Sequence, residues 1–186
     1  MVRCEWCGDD PLYVAYHDTE WGVPVHDDQA LYAKLVLDGM QAGLSWITIL
    51  RKRDNFYTAF DNFDIHTVAN YGPDKIDNLM QDAGIIRNHQ KINAAIKNAR
   101  GVLKIQEEFG SFDRYLWDFV DCKPIHNAFV ISGEIPAQTE LSEKISKNLK
   151  KRGFSFVGPT IIYAYMQAIG MVNDHVVNCF RYDELK

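Results

Sequence analysis

The chain has no apolar run long enough to cross a bilayer. Its first residues, with Arg3, Cys4 and Glu5, form no signal-peptide pattern. The expectation is a cytoplasmic protein with no membrane partner. Sustained apolar–polar alternation and strand–turn–strand patterns are missing, which argues against a sheet protein. Internal repeats, linkers and low-complexity tracts are also missing. One domain over residues 1–186 is expected, long enough for a substantial core. A basic excess is lacking too: the net charge is −5, unlike the usual nucleic-acid binder. A local basic patch could still act on such a globule, with modest affinity carried by few contacts. Cysteine is scarce, with four residues. Without a secretory signal they point to metal ligands or free thiols before disulfides.

What is present begins with composition. Hydrophobic residues are 47% and aromatics 12%, a globular chain and not a disordered one. The pattern is helical nearly throughout. Asp27 or Asp28 can cap a helix starting near Gln29, with Leu31, Leu35 and Val36 on its apolar stripe. Gly39 and Gly43 predict either a break or a close backbone approach. A second run covers Trp46 to Phe60. Pro73 opens a short helix ending before Gly84. Asn88 to about Glu108 is a longer helix stopped near Gly110, and Ser111 caps the next. Residues Cys122 to Gln138, with Pro124, Gly133 and Pro136, read as an irregular loop.

Metal-type residues sit at both ends: Cys4 and His17, then His175 and Cys179. Spaced four apart, His175 and Cys179 would share one face of a helix. Two thiolates and two imidazoles make a closed tetrahedral zinc set that would staple the ends together. Cys4 and Cys7 form a C-x-x-C pair, which offers a second way to supply the sulfurs.

From Leu141 to Gly170 a helix bearing Lys144, Lys147, Lys150, Lys151 and Arg152 stops at Gly153. Gly158, Pro159 and Thr160 then open an apolar helix. The free amides of such a hairpin and the N-terminus of the following helix can hold a phosphate; an ordinary packing unit with a solvated basic face is the plainer reading. Trp6, Tyr13, Tyr16, Trp21 and Trp46 flank Asp18, Glu20 and Asp38. Aromatic faces beside a carboxylate suit a flat cationic heterocycle, although such rings are also ordinary core filler.

At these residues the chain resembles the bacterial 3-methyladenine DNA glycosylase I family. The strings that carry the resemblance are Tyr16-His17-Asp18-Thr19-Glu20-Trp21-Gly22-Val23-Pro24, Gln41-Ala42-Gly43-Leu44-Ser45-Trp46, Lys150-Lys151-Arg152-Gly153-Phe154-Ser155-Phe156-Val157-Gly158 and Val172-Asn173-Asp174-His175. They run in register over almost the whole chain, most weakly in the loop from Cys122 to Gln138. The resemblance implies an all-α fold of the helix-hairpin-helix glycosylase superfamily, with that motif at about 141–170. It implies excision of 3-methyladenine from alkylated double-stranded DNA by a monomer, with free 3-methyladenine as product. It implies one structural zinc on Cys4, His17, His175 and Cys179, with Cys7 a bystander. Trp46 would stack on the flipped base, and Tyr16 and Asp38 would meet its edge and carry the chemistry. Trp6, Tyr13 and Trp21 would complete the base pocket. Leu44, Gly153, Phe154, Ser155 and Gly158 would contact DNA, with the Gly43-Leu44 corner as a wedge.

Position 38 departs from the family pattern, which has Glu where this chain has the shorter Asp38. Asp174 lies near the place where wider relatives keep a catalytic aspartate, but the resemblance gives it no such role. A base already cationic needs extraction, stacking and an acceptor more than strong protonation. Two other classes remain to be separated. A zinc-stapled nucleic-acid-binding module without catalysis predicts a filled core around Trp46. A zinc hydrolase needs an open coordination position.

Overall fold

The computed structural model describes residues 1–186. Helix α1, Pro11–Thr19, starts where the Asp10 carboxylate accepts from the amides of Leu12 and Tyr13, with Pro11 in the first turn. Helix α2, Asp28–Gln41, is capped by Asp27, which accepts from the Ala30 amide. It runs through Gly39, against which Phe156 packs, so the glycine serves close approach and not a break. The expected single run from Trp46 to Phe60 is two helices, α3 Trp46–Arg51 and α4 Arg53–Ala59. Lys52, at φ −101° and ψ 0°, parts them in the bridge region, which apolar periodicity does not report.

Helices α5, Ile65–Ala69, and α6, Pro73–Gln81, follow. Helix α7, His89–Phe109, is capped by Asn88 and ends at Gly110. Ser111 caps α8, Phe112–Trp117. Helix α9, Glu140–Lys151, opens with Thr139 and Ser142 bonded reciprocally, side chain to amide. Helix α10 is Pro159–Ala168 and α11 is Phe180–Glu184.

The main core lies around α2 and α7. Leu31, Tyr32, Phe56, Phe60, Phe63, Ile92 and Ala99 are wholly buried. Each large apolar side chain so placed is worth ~1.5–3 kcal/mol of transfer free energy. A smaller apolar cluster joins the two chain ends, with Cys4, Tyr16 and Trp21 against Leu50, Val176 and Cys179. Helices dominate, and none is long and apolar enough to cross a membrane.

The all-α expectation needs one correction. Ile125–His126 (β1) pairs in parallel with Val172–Asn173 (β2). Two residues per strand are too few for alternation to show in a sequence. The pairing matters because it pins the irregular loop. Ile125 N donates to Met171 O at 2.9 Å, Asn127 N to Asn173 O at 3.2 Å, and Val177 N to Phe129 O at 2.9 Å.

Candidate active site and metal cluster

Helices α1, α2, α3 and α10 and the anchored loop enclose a cavity of about 330 Å³. Trp6, Tyr13, Tyr16, Trp21, Asp38 and Trp46 line it, the full aromatic set picked out in the sequence with one of the three acids beside it. Gln41, Ser132, Ile135, Ala164, Gln167 and Ala168 also line it. The sequence reading missed these six. Gln41 begins one of the family-like strings without having been assigned a role, Ser132 and Ile135 lie in the loop with no pattern, and the α10 residues look like core.

The rings support one another in tilted and edge-to-face pairs. Trp6 stands 4.9 Å from Trp21 and 5.1 Å from Tyr13, centroid to centroid, and Tyr16 stands 5.4 Å from Trp46. Such tilted pairs are worth ~0.5–1.5 kcal/mol each beyond their burial.

Of the three acids near these rings, two are already partnered. Asp18 accepts from Arg3 Nη2 at 2.7 Å and pairs with His17, and Glu20 accepts from Arg53 Nη1 at 2.7 and 2.8 Å. Asp38 is 4% exposed, and its Oδ2 has no hydrogen-bond partner. Burial pushes its carboxyl up to about 7, against a downward pull from Lys34 one helical turn away. Burial likewise raises the Tyr16 phenol, with further upward pressure from Asp38. The indole N–H groups of Trp6 and Trp46 and the hydroxyl of Ser132 are also buried without partners. Unpaired buried polar atoms are rare in folded proteins and costly. Here they line one cavity, where an incoming flat polar molecule can satisfy them.

A second hollow of about 200 Å³ continues from the first, sharing Asp38, Gln41 and Ala164. Gly43 and Leu44 form one wall, Thr160 and Ile161 the other. Leu44 is 41% exposed at the tip of this corner. Lys91, from the first turn of α7, reaches under the corner and donates to Met40 O and Ala42 O. It had no sequence signal, being one lysine among many.

The turn between α9 and α10 lies nearby. Asn98 clasps Ser155 through both amide groups at 2.9 Å. Lys97 Nζ is 3.2 Å from Ser155 Oγ, adding a cation at the turn. Gly101 in α7 leaves room for the Phe154 ring; a Cβ there would fall 2.4 Å from it. Phe154 is therefore a buried packing residue, and its side chain is not presented outward. The amides of Gly153, Phe154 and Ser155 are engaged within the fold. Those of Phe156, Gly158, Thr160 and Ile161 make no hydrogen bond within the chain. The amides left free within the chain thus lie at Phe156, Gly158 and the start of α10, the helix N-terminus into which the hairpin leads. Arg152 is drawn off the basic face by Glu108, which accepts from Nη1 at 2.6 Å.

Cys4, His17, His175 and Cys179 are all buried, and their ligand atoms lie within 4.8 Å of one another. His175 and Cys179 do not share a helix face as expected. They sit on either side of a turn after β2, and Cys179 is the N-cap of α11. A tight turn brings such a pair together as well as a helix does. Cys179 Sγ is 3.4 Å from His17 Nε2 and 3.5 Å from His175 Nδ1, and Cys4 Sγ is 3.6 Å from His175 Nδ1. A tetrahedral ion with bonds of about 2.0–2.3 Å needs edges of roughly 3.3–3.8 Å, and these three edges lie in that range, so the cluster could hold a metal ion. The remaining ring nitrogens are held: His17 Nδ1 lies 2.7 Å from Asp18 Oδ1, and His175 Nε2 donates to Trp21 O at 3.0 Å. Outer partners of this kind orient metal-binding imidazoles. Cys7 stays outside the cluster, its Sγ donating to Cys4 O at 3.1 Å. Asp174, fully buried, accepts from Asn127, Tyr163 and Gln167 at 2.6–2.8 Å and ties the loop to α10.

Comparison with known proteins agrees with this geometry. The methyladenine glycosylase family pattern matches residues 6–182. The chain is 50% identical over 182 residues to DNA-3-methyladenine glycosylase 1 of Escherichia coli K12, covering 98% of this chain and 97% of that protein. It is 45% identical over 178 residues to the DNA-3-methyladenine glycosylase of Haemophilus influenzae, covering 96% of each. A 3-methyladenine DNA glycosylase I variant solved with bound 3-methyladenine superposes with a TM-score of 0.94 at 34% identity, covering 97% of each chain. By sequence pattern, identity and fold together, this chain belongs to the methyladenine glycosylase family.

Proposed function

We propose that this protein is a DNA glycosylase that flips 3-methyladenine out of alkylated double-stranded DNA and hydrolyses its N-glycosyl bond. The observation that carries the reading is Asp38: a buried carboxylate oxygen without a partner, facing a cavity walled by Tyr16 and Trp46. Methylation at N3 gives the base a positive charge. Stacking on Trp46 and acceptance of its N–H edge by Asp38 favour that cation over neutral adenine. Tyr16 meets the same edge, and Trp6, Tyr13 and Trp21 hold the walls. The cation is already a good leaving group, so extraction and grip are what these residues supply. A water then attacks the sugar.

The hollow beside Leu44 and Thr160 is a path from duplex to pocket. Leu44 on its exposed corner enters the gap left by the flipped nucleotide. Helices α9 and α10 act as the helix-hairpin-helix, with Gly153, Ser155 and Gly158 shaping the turn and the amides at the start of α10 receiving phosphate. One domain over 1–186, acting as a monomer, carries all of this in our reading.

Cys4, His17, His175 and Cys179 would hold a zinc ion whose contribution is structural, joining the chain ends behind Trp21. Four protein ligands leave no open position for hydrolytic chemistry at the metal, which disfavours the zinc-hydrolase reading. A binding module without catalysis predicts a filled core around Trp46, and the cavity there speaks against it. The test is incubation with methylated duplex DNA and chromatography of the released bases. Release of 3-methyladenine supports the reading, and no released base over many enzyme equivalents refutes it.

A further inference from the structure

The irregular loop contributes one polar group to the pocket that neither sequence pattern nor family resemblance delivers. Ser132 lies between Ile131 and Gly133, where the resemblance is weakest. Its hydroxyl oxygen is buried, without a partner, and lines the same cavity as Asp38 and Trp46. Leaving a hydroxyl unpaired there is unfavourable, a cost that alanine would avoid. The loop holding it is tied down. Glu134 Oε2 accepts from the Val130 amide at 2.7 Å, closing the turn around Ser132. Phe129 O accepts from Val177, and Asn127 Nδ2 donates to Asp174 at 2.7 Å. The hydroxyl is therefore placed before any ligand arrives.

The chemistry of the pocket leaves it a task. Asp38, when ionised, can only accept, so it suits the exocyclic N–H of the base. The adenine edge also carries ring nitrogens that need donors. A serine hydroxyl rotates freely and can donate to one of them. We infer that Ser132 is a specificity-determining residue whose Oγ–H donates to an acceptor ring nitrogen of the bound base. This rests on the glycosylase reading and extends it, adding a reader on the loop opposite α2.

The experiment compares wild type and Ser132→Ala by titration with free 3-methyladenine and with its 1-deaza and 7-deaza analogues, in which a C–H replaces one acceptor nitrogen. Melting curves first establish that both proteins are folded. Loss of one neutral hydrogen bond predicts roughly five- to tenfold weaker binding of 3-methyladenine by the variant. Against one of the two analogues the proteins should bind alike, because that ligand lacks the acceptor. Equal binding of 3-methyladenine by both proteins overturns the inference. So does a variant defect of the same size against both analogues, which would mark a merely structural effect. A wild-type protein that fails to bind 3-methyladenine at all overturns the glycosylase reading itself, and the role of Ser132 with it.

Discussion

Lys91 Nζ donates 2.7 Å to the carbonyl of Ala42 and 2.8 Å to that of Met40, so one buried ammonium finishes helix α2. Burial lowers the Lys91 pKa, yet the two carbonyl oxygens give the ammonium strong partners. Asp38 on α2 and Leu44 on the corner stand on either side of this clamp, so it fixes the pocket and the proposed wedge in relation to each other.

Replacing Lys91 with Met keeps the stem but strands the helix-end carbonyls. Stability should fall by about 1–3 kcal/mol in denaturant unfolding. Excision from duplex DNA should fall further than affinity for free 3-methyladenine, because the corner acts only on DNA. A larger loss for the free base than for duplex would argue against this division.

Asp38→Asn removes the charge and keeps the shape. In the folded chain Asp38 stays protonated up to about pH 7, whereas its ordinary value is 3.8. Between those values the folded state holds a proton that the unfolded state has lost. Stability of the wild type therefore declines as pH rises through this window. The asparagine variant should melt roughly 3–10 °C higher than wild type at pH 8, with the gap closing toward pH 4. Its preference for methylated over normal adenine should narrow, whereas Asp38→Glu, which restores the family residue, should be tolerated. Unchanged rate and affinity for Asp38→Asn would remove Asp38 from base recognition.

Trp46→Ala deletes the stacking face. Base–aromatic stacking is worth ~1–3 kcal/mol, so affinity for free 3-methyladenine should drop roughly tenfold or more. Duplex binding should suffer less, since the phosphate contacts proposed for the start of α10 do not involve Trp46. Calorimetry with the free base and gel shift with duplex would separate the two.

Gly153 has φ +90°, a conformation that β-branched residues avoid. Gly153→Val should distort the turn and weaken DNA binding while leaving free-base affinity intact. A folded variant with unchanged DNA affinity would count against the turn as the backbone-binding element.

Chelation, or Cys4→Ala, should lower metal content and thermal stability together, because the ligands come from opposite chain ends. Activity loss with metal depletion but full stability would point to a catalytic ion instead.

The sequence by itself determined the helical class, most helix ends and the aromatic set. Asp27, Asn88 and Ser111 stand at helix starts where the sequence placed them, since capping is local chemistry between neighbours in the chain; Asp10, at the head of α1, was not among the expected caps. The metal-type residues were also legible, as types if not as geometry: a turn, not a helix face, joins His175 to Cys179. Only the tertiary structure decided which of three nearby acids is free, because Arg3 and Arg53 reach Asp18 and Glu20 from distant parts of the chain. The same holds for Phe154, which a glycine on α7 admits to the core, and for the free amides, which bonds to Asn98, Leu149 and Lys150 shift toward α10. Ser132 carries no local signal at all. What places it in the pocket is a two-residue pairing with β2, across nearly fifty positions of sequence, too short to leave a pattern and strong enough to anchor a loop.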